Sequence, residues 1–188
     1  GLHSPGGGVL LGGELFATDN AGPWVPAAKL VHVQESKFLG HPATQPAPQE
    51  QFKEPKAGVL PAVWIPTRLA KRVAGIVLAP ESWGAFAGQL LVVDGEDGLL
   101  RVQLEQVNGE WQGTAWPLVK KLGANVSCFA VSADGRVHFG GATSDDKTAV
   151  LGRITLPASP SSEIKSVKAM VDGLELAFTQ PVETTSAT

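Results

Sequence analysis

Oxygen donors gather at one early turn of this sequence. Asp19 and Asn20 run into Ala21, Gly22 and Pro23, and calcium takes carboxylate and carbonyl oxygens at turns of this kind. Asp19, Asn20, Gly22 and Pro23 are therefore a candidate calcium pocket. The simpler alternative is an Asx-type turn, in which Asp and Asn bond their own backbone. Asp94, Glu96 and Asp97 form a second acidic turn, read as solvated charge in a hairpin loop. His41 stands before Pro42, where a base could face a cavity mouth. Spacing gives it neither an orienting acid nor a nucleophile. His32 and His138 lie between apolar strand residues and show no ligand spacing.

Aromatic residues supply a second kind of chemistry, the stacking of sugars or partner surfaces. The chain has five Trp and no Tyr. Trp24 and Trp83 fall in Gly/Pro turns and, with His41, are candidates for a ligand or partner surface, a carbohydrate among the ligands. Trp64 and Trp116 fall in apolar strands and read as core. Cys128 is the single cysteine, so the chain has neither an internal disulfide nor a Cys/His zinc set. Its flanks, Val126 to Val131, read as a buried strand, which makes the thiol an inert core residue.

Composition bounds what positions these groups. With 188 residues, 43% hydrophobic and 18% charged, the chain is a globular domain able to bury a core. The net charge of −3 and the scattered Lys and Arg exclude a phosphate-binding stripe, and with it nucleic acid as a partner. No apolar run approaches the roughly 20 residues of a spanning helix, so no membrane partner is expected. No secretory leader is recognised, which says nothing about compartment.

The 22 Gly and 14 Pro favour short strands and tight turns. Asp97-Gly98, Asn108-Gly109, Asp134-Gly135 and Asp172-Gly173 each separate apolar or alternating runs, and such pairs favour type I′ hairpins with positive φ at both turn positions. No i, i+3, i+4, i+7 stripe persists for three turns. The fold class is all-β. A strand, a Gly-containing turn and an outgoing strand recur at 12–19, 88–94 and 135–141, and the last two copies are about 45 residues apart, a propeller-blade period. The expected organisation is three blades over 1–157, with a Pro-rich insertion at 42–61. A Pro/Ser linker follows at 158–165, then a hairpin at 166–188 that must pack on the blades or open a further domain.

Glu14-Leu-Phe-Ala-Thr-Asp-Asn-Ala-Gly-Pro-Trp24, Lys29-Leu-Val-His32, Lys37-Phe-Leu-Gly-His-Pro42, Phe86-Ala-Gly-Gln-Leu-Leu-Val-Val-Asp94, Leu100-Arg-Val-Gln-Leu104 and Val131-Ser-Ala-Asp-Gly135 together resemble the soluble quinoprotein glucose/sorbosone dehydrogenase family. The likeness is strongest to large secreted, haem-domain-linked dehydrogenase-like proteins of planctomycete type. It implies the second half of a six-bladed propeller, an extracytoplasmic location and, at Glu175–Val182, the opening of an immunoglobulin-like module. The family's pyrroloquinoline quinone is held by Arg, Asn and Lys residues. At the matching positions this chain has Leu2, His3, Glu96, Asn125 and Ser127, and a tricarboxylate cannot be buried without cations. The family's catalytic His belongs to the other half of its ring. The resemblance therefore implies a non-catalytic scaffold or ligand-binding segment, or else part of a quinone- or haem-linked sugar or alcohol dehydrogenase whose catalytic half lies elsewhere. Three blades cannot close a ring, so a homodimer or a missing propeller half is the expected partner.

Overall fold

The computed structural model describes residues 1–22, 25–40, 59–96, 98–157 and 161–183. All its sheets are antiparallel, and three of them are propeller-type blades. Blade 1 runs β1 (Pro5–Leu11), β2 (Glu14–Asp19), β3 (Ala27–His32) and β4 (Val63–Pro66). Blade 2 runs β5 (Val73–Leu78), β6 (Leu90–Asp94), β7 (Gly98–Val107) and β8 (Glu110–Val119). Blade 3 has β9 (Asn125–Val131), β10 (Val137–Ala142) and β11 (Ala149–Ile154). A separate hairpin, β12 (Ile164–Met170) and β13 (Gly173–Phe178), follows. The repeats at 12–19, 88–94 and 135–141 fall on the second strand of each blade and the turn before it.

Turn chemistry sets the hairpins only in part. Asn108-Gly109 holds φ 52° and 85°, and Gly12-Gly13 holds 60° and 87°, so both are two-residue turns of the mirror-image kind that suits strand twist. The other two testable turns differ from the expected type I′. In the β9–β10 loop positive φ falls on Gly135 alone, at 73°, because Gly135 N–H bonds Ser132 C=O and Ser132 N–H bonds Arg136 C=O in a wider loop. In β12–β13, Met170 pairs with Gly173, so Val171-Asp172 is the turn and Gly173 is already strand. Asp97 lies outside the described residues.

The core forms two layers between blades. Residues of β6 alternate between them. Leu90 and Val92 join Phe16, Leu30, Ile65, Ile76 and Val102 between blades 1 and 2. Leu91 and Val93 join Leu99, Val126, Val137 and Phe139 between blades 2 and 3. Burying each of these Leu, Val and Phe side chains stabilises the fold by about 1.5–3 kcal/mol. A strand apolar on both faces must lie inside the stack, which places blade 2 in the middle. The first strands β1, β5 and β9 adjoin in order. Glycine permits the tightest approach there: a Cβ at Gly6 would lie 2.2 Å from the Val73 carbonyl oxygen.

The outer faces of the end blades carry exposed apolar side chains, although Ala17 and Val31 on that of blade 1 are buried. On blade 1, Leu10, Leu15 and Trp64 are 65%, 42% and 46% exposed. Cross-strand pairs Gly8↔Ala17, Ala17↔Val31 and Lys29↔Trp64 put Trp64 on the face turned away from blade 2. On blade 3, Leu151 is 84% exposed, and Cys128 is exposed opposite Gly140. Two expectations are thereby corrected. Trp64 and Cys128 are not core residues, because among the described residues no neighbouring blade covers them.

Candidate functional site

One rim of the stack collects the starts of β1, β5 and β9 and the ends of β2, β6 and β10. Asp19 and Asn20 sit there, with Asp19 fully buried. Asp19 accepts hydrogen bonds from the backbone N–H of His3 (3.0 Å) and Ser4 (2.6 Å). The ammonium of Lys29, its cross-strand partner, lies 3.4 Å from Oδ2 and donates to the Leu39 carbonyl at 2.8 Å. Asn20 accepts from Val73 N–H at 2.8 Å and donates to the carbonyls of Ser4 (2.9 Å) and Val73 (3.1 Å). It thus pins blade 1 to the first strand of blade 2.

These contacts bear directly on the calcium reading. The oxygens of Asp19 and Asn20 are taken by backbone donors and by Lys29, which already supplies the positive charge. The adjoining hollow, of about 50 Å³, is lined by His3, Asp19, Asn20, Gly22, Lys29 and Trp64 among others. The described donor set does not fit a calcium ion, and the Asx-type alternative does not describe it either, since Asp19 and Asn20 bond the backbone of His3, Ser4 and Val73, far away in sequence. Pro23, Trp24 and His41 lie outside the described residues. Among the described residues no three His, Cys, Asp or Glu side chains cluster at metal-binding distance.

Blade 2 repeats the clasp with different residues. Asp94 ends β6 as Asp19 ends β2, and its carboxylate accepts from the backbone N–H of Lys71 (3.4 Å) and Arg72 (3.1 Å). Arg72 donates to Gly95 C=O at 2.9 Å and to Val126 C=O at 3.5 Å, reaching the first strand of blade 3 as Asn20 reaches that of blade 2. Glu96 pairs with Lys71 at 2.9 Å. The hydrogen bond and charge of Glu96 raise the Lys71 ammonium above its ordinary value.

The positions matched to quinone-binding residues fall on this rim. Glu96 is acidic, Asn125 donates to Asp146 at 3.3 Å, and the Ser127 hydroxyl donates to Gly140 C=O at 3.4 Å. The cations near them, Lys29, Lys71 and Arg72, are engaged with Asp19, Glu96 and backbone carbonyls respectively. The residues present do not fit a tricarboxylate quinone.

The opposite rim holds Trp83, on the 3₁₀ segment Glu81–Phe86. Here the expectation of an exposed tryptophan is corrected. Trp83 is 6% exposed and packs in the layer between blades 2 and 3 with Val137 and Phe139. A Pro/Gly-flanked turn reads as surface, but this one folds inward over the blade junction, held by the Ser82 hydroxyl donating to Gly135 C=O at 3.0 Å. Trp83 still borders a cleft of about 360 Å³, shared with Ser82, Phe86, Arg136, Thr155 and Pro157 among others. At that volume the cleft is of a size to hold a small ligand.

Sequence reasoning missed the most unusual polar centre. Arg101 on β7 is 1% exposed, with its guanidinium between the rings of Phe86 and Trp116 at 4.5 and 4.4 Å. It donates to Gln89 Oε1 at 3.1 Å and to the carbonyls of Ile164 and Lys165, and Glu163 lies 3.6 Å away. Burial pushes its pKa down and Glu163 opposes the shift, but an arginine remains charged at neutral pH. Farther along the same face of β7, Gln103 and Glu105 accept from the N–H groups of Val167 and Ala169 at 3.1 and 3.0 Å. Arg101, Gln103 and Glu105 thus dock the free edge of β12 by side chains instead of strand pairing. Their spacing was the available signal, since a charged or amide residue at every second position marks one strand face.

No family model matches this sequence, and no curated protein matches it. Among solved structures the chain is similar to a Thermus thermophilus protein provisionally described as an oxidoreductase (glucose dehydrogenase). The two share 17% identity with a TM-score of 0.51, over 80% of this chain and 43% of that one. At this identity the likeness defines the fold, a glucose-dehydrogenase-like arrangement of β-blades. The chain spans less than half the length of that protein.

Proposed function

We propose that this chain is a non-catalytic propeller segment, the scaffold or ligand-binding part of a sugar-dehydrogenase-like protein. One observation carries the reading: the polar groups on the rim that would face a cofactor are spent on holding blades together. Asp19, Asn20, Asp94 and Arg72 all bond strand-end backbone within or between blades. If the segment binds a ligand, the cleft beside Trp83 and Arg136 suits a small polar one with an apolar face, such as a carbohydrate.

Adding pyrroloquinoline quinone and calcium to the purified chain, then following dye reduction with aldoses, tests this. No turnover is expected. Turnover would establish the competing reading, part of a dehydrogenase, which the description of the structural neighbour favours. Calcium alone should leave the melting temperature unchanged, whereas a calcium-dependent rise would restore a metal role for the Asp19 turn.

A further inference from the structure

A pocket of about 290 Å³ opens on the same rim as the two clasps, where the outer strands β4 and β8 of blades 1 and 2 meet. Its apolar lining includes Leu69, Leu100 and Val119, with Leu100 buried. Arg68 and Lys120 line it as well. Arg68 stands on the turn after β4, which is fixed by the N–H groups of Leu69 and Ala70 bonding Pro66 C=O at 2.8 and 3.3 Å. Lys120 directly follows β8. The fold thus brings two exposed cations, far apart in the sequence, to one hollow. Two carboxylates share the lining, but their oxygens are committed. Asp94 accepts from the backbone N–H groups of Lys71, Arg72 and Glu96, and Glu96 pairs with Lys71. The side chains of Arg68 and Lys120 make no hydrogen bond or ion pair with any described residue. In this they differ from Lys29, Lys71 and Arg72, which are spent on Asp19, Glu96 and backbone carbonyls.

We propose that this pocket binds a small organic acid, one carboxylate or phosphate group carried on an apolar body. The oxyanion accepts charge-assisted hydrogen bonds from the Arg68 guanidinium and the Lys120 ammonium. The body of the ligand packs on Leu69, Leu100 and Val119. The volume is at the lower end for small-molecule sites, which selects a small ligand. Two cations balance one acid group, not the three of a quinone tricarboxylate. Asp94 and Glu96 repel a second acid group, which favours a monoacid. The cleft beside Trp83 is on the opposite rim, so this site is separate from the one named under the proposed function and stands or falls independently of it.

Benzoate, phenyl phosphate and benzamide, titrated in turn into the isotope-labelled chain and followed by amide chemical shifts, test this. Shifts at Leu69, Leu100 and Val119 should saturate at millimolar concentration or below with at least one of the two acids. Which acid binds separates a carboxylate ligand from a phosphate one. Benzamide has the shape of benzoate without its charge, and should bind about fivefold or more weakly. Arg68→Gln and Lys120→Gln should each weaken binding of the acid by about fivefold or more. Both positions are exposed, and the same spectra report whether each variant is folded. Lys121→Gln, at the neighbouring position outside the lining, should leave the affinity unchanged. Asp97→Asn removes a negative charge between Glu96 and Gly98 and should tighten binding or leave it unaltered. The inference is overturned by a lack of saturation with either acid, by equal binding of benzamide, or by an affinity that survives Arg68→Gln and Lys120→Gln. Weaker binding on Lys121→Gln or Asp97→Asn, equal to that on the lining substitutions, overturns it too. None of these results alters the dye-reduction test of catalysis.

Discussion

Asp19 stabilises by closing a strand end. Asp19→Ala would leave Lys29, 8% exposed, without its counter-charge and the N–H groups of His3 and Ser4 without that acceptor. Breaking a buried pair from one side costs about 3–5 kcal/mol, and urea unfolding should show a loss of that order. Asp94 makes the same clasp only partly buried and without a buried cation, so Asp94→Ala should cost about 1–2 kcal/mol in the same measurement. Asp134 differs, since it is exposed and its strongest partner is the Ser132 hydroxyl. That hydrogen bond, with Arg136 adding to it, holds its carboxyl below the usual value. A depressed folded pKa stabilises above the unfolded value, and the contribution disappears as pH falls through the folded one. Carboxyl chemical shifts should therefore place the Asp134 titration below that of a free aspartate, and Ser132→Ala should move it up. Sequence identifies Asp19 and Asn20 as residues with a special task but misassigns the task. A carboxylate and a turn suggest a metal, and the hairpin register that brings Lys29 opposite Asp19 emerges only when β2 and β3 are aligned.

The strands of the blades are readable because turn residues and apolar runs agree along them. Gly98, Asn108-Gly109 and Gly135 stand at their ends, and Leu-Leu-Val-Val at 90–93, short and bounded by turn residues, fits a strand covered on both sides. The docking of β12 is harder to read, since its partners on β7 are more than 60 residues away and its backbone is met by side chains. Expected start and observed start also differ: β12 begins at Ile164, within the segment 158–165 read as linker. Arg101→Met tests this attachment. Methionine can fill the space between Phe86 and Trp116 but offers no donors to Ile164 and Lys165. Amide exchange at Val167 and Ala169 should accelerate by about tenfold or more, while Leu91 and Val93 keep their protection. Equal acceleration at all four would mean that Arg101 supports blade 2 itself and not the hairpin.

Blade number is legible at the scale of the molecule and exposure is not. Three repeats predict three blades, and the described residues form three. Which apolar faces are covered depends on the blades on either side, and a strand sequence such as Asn125–Val131 reads the same with or without a neighbour. For that reason Cys128 and Trp64 read as core in the sequence, and the inward fold of the Trp83 segment does not show there. The close approach of first strands makes a separate prediction. Gly6→Ala would press a methyl group on the Val73 carbonyl and separate β1 from β5. Overpacking of this kind costs about 1–3 kcal/mol, to be seen as a lower melting temperature. Gly12→Ala, at a turn with open space around it, should lower stability through its positive φ alone, leaving the spacing of blades 1 and 2 unaltered.

The hairpin's attachment also has a mechanical side. Phe178 pairs with Ile164 at its open end, and Thr179 just beyond bonds Glu163 and Ser161, so tension applied near residue 183 against the blades loads these few bonds first. The bonds of β13 to β12 then carry load one after another, like the teeth of a zip, and part at low force. The chain gained by unzipping lengthens the tether before any load reaches β7. This makes the hairpin a mechanical fuse, able to yield and re-form while the blade stack keeps its shape.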